Sequence, residues 1–536
     1  MGAYCRAVTP RTRRLAAAGA VAVGVVIGVI FLTAVARHIR YASSDNANAL
    51  LAGRAMVHGN PLLRGWDLPH DSYWLIDLPL FGLASLVLGF RELVLSFVPA
   101  AVDVALIVAG SVVAGLGLGP QWRRRWWASA AVMAILLGLP HFFLGAFILQ
   151  GPHHVTTCLV CLVAFGLLAG AGLGGGRWLA ATGLLAVAAH SDPIALAVGI
   201  VPIAAAGVVE GVRRRRLGAL AVPVGAAAGA LAGVFLIGLF VRLAGGYRSL
   251  PDPPAIGVWG ENLRATPRIL GGLLGASSPS GLAGWARGAH VVGASLFAAA
   301  IVVSAIRSLA GLVRRPARGP DGERPARFGP PGAAFLDDVL LIGCAGGVAV
   351  FAALTDPPLQ TPNARYLLPT LILGAVLAAR RTVEAAARVP VPVVAAIGVA
   401  FGAAYLTTPL ASVNRPALTN PTVAVADWLR ARGLQRGYGQ YWVAGSTTVS
   451  GQGAVAVRPV LNDHGVLRPY MHFASRRWFG AGPFRFVVLD RTFPEAVDEP
   501  VAVRTFGPAA EAHDIGRYRV LIWNRDLALP ASSTTG

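Results

Sequence analysis

The chain has 536 residues, 55% of them hydrophobic and only 13% charged, a composition that excludes an ordinary soluble domain. Apolar runs of roughly 20 residues recur along it, each long enough to cross a bilayer core. The basic side of its +21 net charge is all arginine, set in short blocks between apolar runs ("RTRR" at 11–14, "RRR" at 123–125, "RRRR" at 213–216, then Arg314, Arg315, Arg318, Arg324 and Arg327), a pattern of cytoplasmic loops and not of a nucleic-acid face.

In chain order, the first apolar run, about 15–36, predicts a span entered from the cytoplasm, because "RAVTPRTRR" precedes it. Ala34-Val35-Ala36 has the small-residue pattern of a cleavage site, but the run is longer than a signal peptide's apolar core and reads as an uncleaved anchor. Residues 37–78 then fall outside. There "SSDNANALLAGRAMV" places Asp45 behind two serines as an N-cap for a short helix. A helix start also suits a phosphate or a sugar.

The run 79–90 is short, a tilted or re-entrant lead-in to a span near 93–118. Spans near 128–149 and 155–173 pair around "QGPHHV", and spans near 178–190 and 193–209 pair around "HSDP". Asp192-Pro193 reads as another helix start. Cys158 and Cys161 lie inside an apolar run with no second ligand pair, so they read as packing. A span at 217–243 leads into a long outer loop, 245–288. Its "VWGENLRATPRILGGLL" is amphipathic, with Trp259, Leu263 and Leu270 toward the membrane surface and Glu261, Arg264 and Arg268 toward water or a ligand. A long irregular loop over a polar cluster is a lid candidate; surface structure without a catalytic role is the alternative.

Spans near 289–312, 335–354, 364–380 and 390–408 follow. The Pro/Gly-rich basic linker 314–332 falls inside, as do Arg380, Arg381 and Arg388. The sum is about eleven spans, with every arginine block on one side. Residues 1–408 thus form a transmembrane domain, including the outer loops 37–78 and 245–288. Residues 409–536 form an extracytoplasmic α/β domain. In that domain Asn420, Pro421 and Gly433 bracket a helix, and "GYGQYWVAG", "GAVAVRPVL", "FRFVVLD" and "YRVLIWN" have strand composition.

This threading gathers polar groups on one face: Asp45, Asn46, His58, Asp71, His153, His154, Ser191, Asp192, Glu261, Arg264, Arg268, Arg365 and Tyr366. Ionisable groups at the edge of a helix bundle are costly, so a convergent set points to function. Arg365 stands out because it opens a span on the side where arginine is disfavoured. An anion such as a lipid-linked phosphate would explain it.

The acid soon after the first span ("SSDNANALLAGRAMVHGNPL"), the long first outer loop, the late "ARYLLP" segment and the C-terminal domain together resemble the GT-C superfamily of integral membrane glycosyltransferases of an actinobacterial type. That resemblance implies a sugar donor carried on polyprenyl phosphate, an envelope acceptor (glycan, lipid or protein), membrane lipids as surroundings and no nucleic acid. It implies Asp45 as the base or acceptor-binding acid. Arg365, Tyr366, Arg264 and Arg268 would hold the donor phosphate, and Asn46, His153, His154, Ser191, Asp192 and Glu261 would line the pocket. Asn46 stands where the better-known members have a second acid, which leaves a divalent metal open as the only cofactor to consider.

Two other readings compete. A transporter or flippase would place ionisable groups near the bilayer midplane, often in two related halves. A cell-envelope binding scaffold would use Tyr438, Tyr441 and Trp442 as a sugar-stacking patch, although strand and core packing also accounts for such aromatics.

Overall fold

The computed structural model describes residues 10–39, 43–250, 259–277, 284–313, 333–354, 361–480, 482–493 and 497–530. The linker arginines Arg314, Arg315, Arg318, Arg324 and Arg327 lie outside the described residues, as do the side chains of "RTRR" and of Arg123 and Arg124.

Helix α1 (Pro10–Ile39) is followed by the short α2 (Ser44–Val57), strand β1 (Trp66–Leu68), α3 (Asp77–Leu88) and α4 (Leu93–Gly115). Ser43, not Asp45, is the N-cap of α2; Asn46 Oδ1 accepts from the Ser43 backbone N–H at 3.2 Å and from its hydroxyl at 2.7 Å. Asp45 is thereby left in the first helical turn with a side chain free to reach elsewhere. Helices α2 and α3 approach at two glycines. A Cβ on Gly53 would come within 2.3 Å of the Leu78 carbonyl, and one on Gly82 within 2.5 Å of the Gly53 carbonyl.

Next come α5 (Pro120–Met133), α6 (Phe142–Ile148), α7 (Val155–Leu168), α8 (Gly176–Ser191), α9 (Val201–Arg214), α10 (Ala221–Leu243), strand β2 (Arg248–Ser249) and α11 (Trp259–Leu273). Then follow α12 (Gly284–Val313), α13 (Ala333–Leu354), α14 (Leu368–Ala386) and α15 (Val391–Val413). Among the described residues eight helices are long and apolar enough to cross a membrane, or nine if one bent pair counts as a single span. The protein is a multi-pass membrane protein.

The expected span 128–149 is that bent pair. Its two parts meet at 92°, where Pro140 lacks a donor and His141 starts a new helix by accepting from the Phe143 N–H at 3.4 Å. The span expected at 155–173 is the shorter α7, and that expected at 178–190 is the slightly longer α8; both stay below full membrane length. These short helices end where the polar residues collect. Helix α14 is the buried axis of the bundle, whereas α1, α12 and α15 leave most apolar side chains exposed, as lipid-facing helices do.

The C-terminal part holds α16 (Thr422–Ala431), β3 (Arg436–Gln440), α17 (Tyr441–Ser450), β4 (Ala456–Asp463), β5 (Val466–Pro469), β6 (Ala474–Ser475), β7 (Phe486–Asp490), α18 (Glu499–Phe506), β8 (Glu511–Ile515) and β9 (Tyr518–Ile522). Six strands make a mixed sheet in the order β5-β4-β3-β7-β9-β8, with β4, β3 and β7 parallel. Alternation along β7 divides the core. Phe486 and Val488 pack with Val425, Leu429 and Val443 of α16 and α17, while Val487 and Leu489 pack with Val501 and Phe506 of α18.

The stretch "YWVAG" is helix and not strand. Gln440 accepts from the Asp490 N–H at 3.0 Å and donates to the Val497 carbonyl at 2.8 Å, which ends β3 and turns the chain into α17. Tyr438 is a core residue, 1% exposed, stacked 4.4 Å from Phe484 and donating to the Leu527 carbonyl at 3.0 Å. The patch expected from Tyr438, Tyr441 and Trp442 therefore loses its first member to packing.

A second, three-stranded patch fastens this domain to the membrane part, in the order β2-β1-β6. Strand β1 comes from the first long loop, β2 from the loop before α11, and β6 from the C-terminal domain. Arg476 adds an ion pair to Asp67 at 2.9 Å.

Candidate active site

Two ends of the bundle carry different chemistry. At one end the arginine blocks meet acids of their own and of neighbouring helices. Arg213 pairs with Glu210 at 3.0 Å and Asp338 at 2.9 Å, Arg380 with Asp337 at 2.6 Å, and Arg381 with Glu384 at 2.8 Å. Arg380 is fully buried and also donates to the carbonyls of Val113, Ala114 and Leu116 at 3.2, 3.1 and 2.8 Å, so it caps the end of α4. The opposite end carries the three-stranded patch and the polar residues singled out in the sequence.

There the loop after β1 is stapled to the end of α8. The Tyr73 N–H donates to the Ser191 carbonyl at 2.7 Å and the Leu75 N–H to the Ser191 hydroxyl at 3.1 Å. Ser191 thus holds the loop that carries Asp71 and Tyr73. Next to it, Asp192 is 1% exposed and its carboxylate is fully engaged. It accepts from His154 Nδ1 at 2.8 Å, from the Thr157 hydroxyl at 2.5 Å and from the Ile194 N–H at 3.2 Å. The last bond makes Asp192 the start of the next turn, as its sequence context indicates.

His154 begins α7 in the left-handed region, φ 63°. With its Nδ1 proton given to Asp192, its buried Nε2 has no partner among the described residues. The ring lies 5.2 Å from that of Tyr366, and the Arg365 guanidinium sits 5.1 Å over the Tyr366 ring. Arg365 donates to the Tyr366 hydroxyl at 3.3 Å, and its Nε is buried without a partner. No carboxylate among the described residues lies within ion-pair distance of it. A half-buried guanidinium with a buried Nε and no carboxylate in ion-pair contact among the described residues is costly, and it is the site's most distinctive feature.

Asp71 completes the cluster, accepting from the Tyr73 hydroxyl at 2.9 Å. Burial pushes its carboxyl above the ordinary range and the nearby Asp192 adds to this, while His154, Arg365 and the Tyr73 bond oppose it. Burial and the Asp71 charge hold the Tyr73 phenol well above its usual value, so it remains a donor. Beside this group Asp77 accepts from the Thr156 hydroxyl at 2.6 Å. Asp77, Thr156, Gln150 and His153 line a small cavity, and His153 donates to the Phe147 carbonyl at 3.2 Å.

Asp45 lies at this end but in a separate contact. Its Oδ1 accepts from the Tyr441 hydroxyl of α17 at 2.5 Å. The approach of α17 to α2 depends on Gly445, where a Cβ would come within 2.4 Å of Asn48 Oδ1. The α2–α3 pair connects Asp45 to the His154 cluster. Glu261, Arg264 and Arg268 stay on the exposed face of α11, while Asn262, Thr266 and Leu273 are buried. Leu270 packs into the bundle rather than along the surface. His58 is exposed at the end of α2, with Nδ1 bonded to the Arg54 carbonyl at 2.8 Å.

Among the described residues no three or more His, Cys, Asp and Glu side chains are placed to hold a metal ion. The acids of the cluster are engaged by protein donors instead. Cys158 and Cys161 are free and buried in the apolar core. One acid, Asp103, sits in mid-span on α4 with both oxygens buried and unpartnered. It stands alone, without the paired groups in related halves that a transporter site calls for.

The sequence reading missed Tyr73, Thr157 and Asp77, and named Tyr441 only as a possible stacking ring and not as the partner of Asp45. Only Tyr73 carried a signal, being two residues from an acid already noted.

No protein-family model matches the sequence, and comparison with curated proteins gives no match. Solved structures do resemble it. The apo Archaeoglobus fulgidus oligosaccharyltransferase aligns over 90% of this chain and 73% of its own at 13% identity, with a TM-score of 0.41, too low to carry weight. The crystal structure of ArnT from Cupriavidus metallidurans bound to undecaprenyl phosphate aligns over 95% of this chain and 99% of its own, at 12% identity and a TM-score of 0.54. At that identity the likeness is one of fold: the chain has the architecture of ArnT, the GT-C fold that its sequence pattern resembles.

Proposed function

We propose that the protein transfers a sugar from a polyprenyl-phosphate carrier to a glycan, lipid or protein acceptor of the cell envelope, on the extracytoplasmic face of the plasma membrane. The observation that carries this reading is Arg365, a half-buried guanidinium whose buried Nε has no partner and which has no carboxylate in ion-pair contact among the described residues. Its natural complement is a phosphate oxygen. The fold agrees, since ArnT, which shares it, was solved with undecaprenyl phosphate bound.

In this reading Arg365 receives the carrier phosphate, with His154 Nε2 as a second donor when the imidazole is protonated, its ring oriented by Asp192. The acceptor hydroxyl attacks the anomeric carbon, and the bond from that carbon to the phosphate oxygen breaks. The phosphate leaves with the bonding electrons, so cationic stabilisation replaces a general acid. The hydroxyl proton passes to Asp45 Oδ2, the oxygen not held by Tyr441. Hexosyl and pentosyl donors fit this chemistry equally.

Arg365→Ala should weaken binding of undecaprenyl phosphate by about 10- to 100-fold, the loss of one or two charged hydrogen bonds, with the protein still folded. Unchanged affinity would remove the site's main support. Purified protein given labelled polyprenyl-phosphate sugars should yield a glycosylated product. Movement of intact substrate across a vesicle wall without product would favour a transporter.

A further inference from the structure

We propose that the C-terminal domain supplies a saccharide-stacking face beside Asp45, formed by Trp442, Tyr470 and His472, on which a sugar ring of the acceptor lies. The word acceptor rests on the transferase reading above; the binding of a saccharide does not.

Three rings surround one phenol. Tyr470 and His472 stack on each other at 5.8 Å with their planes 19° apart. Both meet Tyr441 edge-on, at 5.2 Å and 5.4 Å, and Trp442 meets it at 5.1 Å. The Tyr441 hydroxyl is the group bonded to Asp45. Trp442 is 51% exposed although the preceding Tyr441 is buried. The rings are therefore neither core nor isolated, and one phenol separates them from the candidate base.

Two further observations favour a sugar over a purely apolar occupant. Phe473 sits in the left-handed region at φ 55°, a conformation unfavourable for a bulky residue, and its side chain is buried in the membrane part. This anchor fixes Tyr470 and His472 over α2. On α2 the amide Nδ2 of Asn46 is buried without a partner among the described residues, and Asn48 lies beside the Tyr441 hydroxyl. A sugar ring presents a C–H face that an aromatic ring covers and a rim of hydroxyls that carboxylates and amides bind. Rings next to an acid and an unpaired amide match both edges. A lipid chain would use only the rings.

The test uses the full-length protein in phospholipid nanodiscs. The probes are the methyl glycosides of arabinofuranose, mannopyranose, galactopyranose and glucopyranose. Saturation-transfer NMR and tryptophan fluorescence report on wild type, Trp442→Ala, Tyr470→Leu and Asp45→Asn. At least one glycoside should receive saturation at its ring protons and perturb the fluorescence. Its affinity should fall about tenfold in Trp442→Ala and similarly in Tyr470→Leu, and persist in Asp45→Asn. No binding by any probe, binding indifferent to both aromatic substitutions, or quenching of Trp442 by brominated lipid would overturn the proposal. Binding through Trp442 without any transferase product would uphold it while sinking the transferase reading. Transfer with an acceptor KM unchanged in Trp442→Ala would do the reverse.

Discussion

Burial sets the titration of Asp71, and the sign of its effect differs between stability and activity. Its folded carboxyl holds a proton at higher pH than the unfolded one, chiefly through burial and secondly through Asp192. The folded state therefore binds more protons in the window above the unfolded value. This contribution to stability is full below that window and is lost as pH rises through the folded value. Asp71→Asn should accordingly raise the melting temperature at neutral pH, measured by thermal unfolding in detergent. If transfer needs the charged form, its acid limb will sit above the usual carboxylate range and will vanish in Asp71→Asn. Asp45→Asn should reduce turnover by a hundredfold or more if it is the base, the upper range of general-base catalysis being about 10⁴. Near-normal turnover with labelled donor would assign the proton elsewhere. At this scale Arg365 was legible because it breaks a charge rule. Thr157 and Asp77 were not, nor was the bond of Tyr441 to Asp45, because only the packing of α2, α3, α7, α8 and α17 makes them partners.

Among the elements, α4 depends on a residue far away in the chain. The carbonyls that end it find their donor in Arg380 of α14, which also pairs with Asp337 of α13. In sequence this arginine looks like one more cytoplasmic charge, yet it is wholly buried. Arg380→Ala should cost about 3–5 kcal/mol, because it leaves Asp337 and several carbonyls without their partner. Arg380→Lys should rescue little, since one ammonium cannot span the same acceptors. Denaturant unfolding in mixed micelles measures both. Helix existence was legible from apolar length. The early end of α7 was not, since the apolar run continues past Leu168 into a glycine-rich stretch whose alanines and leucine still read as apolar. "YWVAG" read as a strand because its composition fits one, and the bonds of Gln440 that divert it come from segments 50 residues or more away.

For the whole molecule, the arginine ion pairs and the three-stranded patch lie at opposite ends, as the positive-inside threading requires. Orientation can be read with single cysteines in a Cys5→Ser background, the three described native cysteines being buried. His464→Cys, at a position 99% exposed in the C-terminal domain, should react with an impermeant maleimide on intact cells. Arg388→Cys, exposed at the other end, should react only after permeabilisation. Labelling of Arg388→Cys alone on intact cells would invert the protein and take the proposed site to the wrong compartment.

The pairing of β6 with β1 joins residues far apart in the chain; Asp67 and Arg476 are separated by 409 positions. During synthesis the loop that carries β1 leaves the translocon long before its partner strand exists. It must wait unpaired until synthesis has passed β6, about 400 residues later. The contact between Asp45 and Tyr441 forms at the same late moment. On the proposed function, a nascent chain stalled partway through translation would hold Arg365 and His154 without the Asp45–Tyr441 contact, so transfer would await the C-terminal domain.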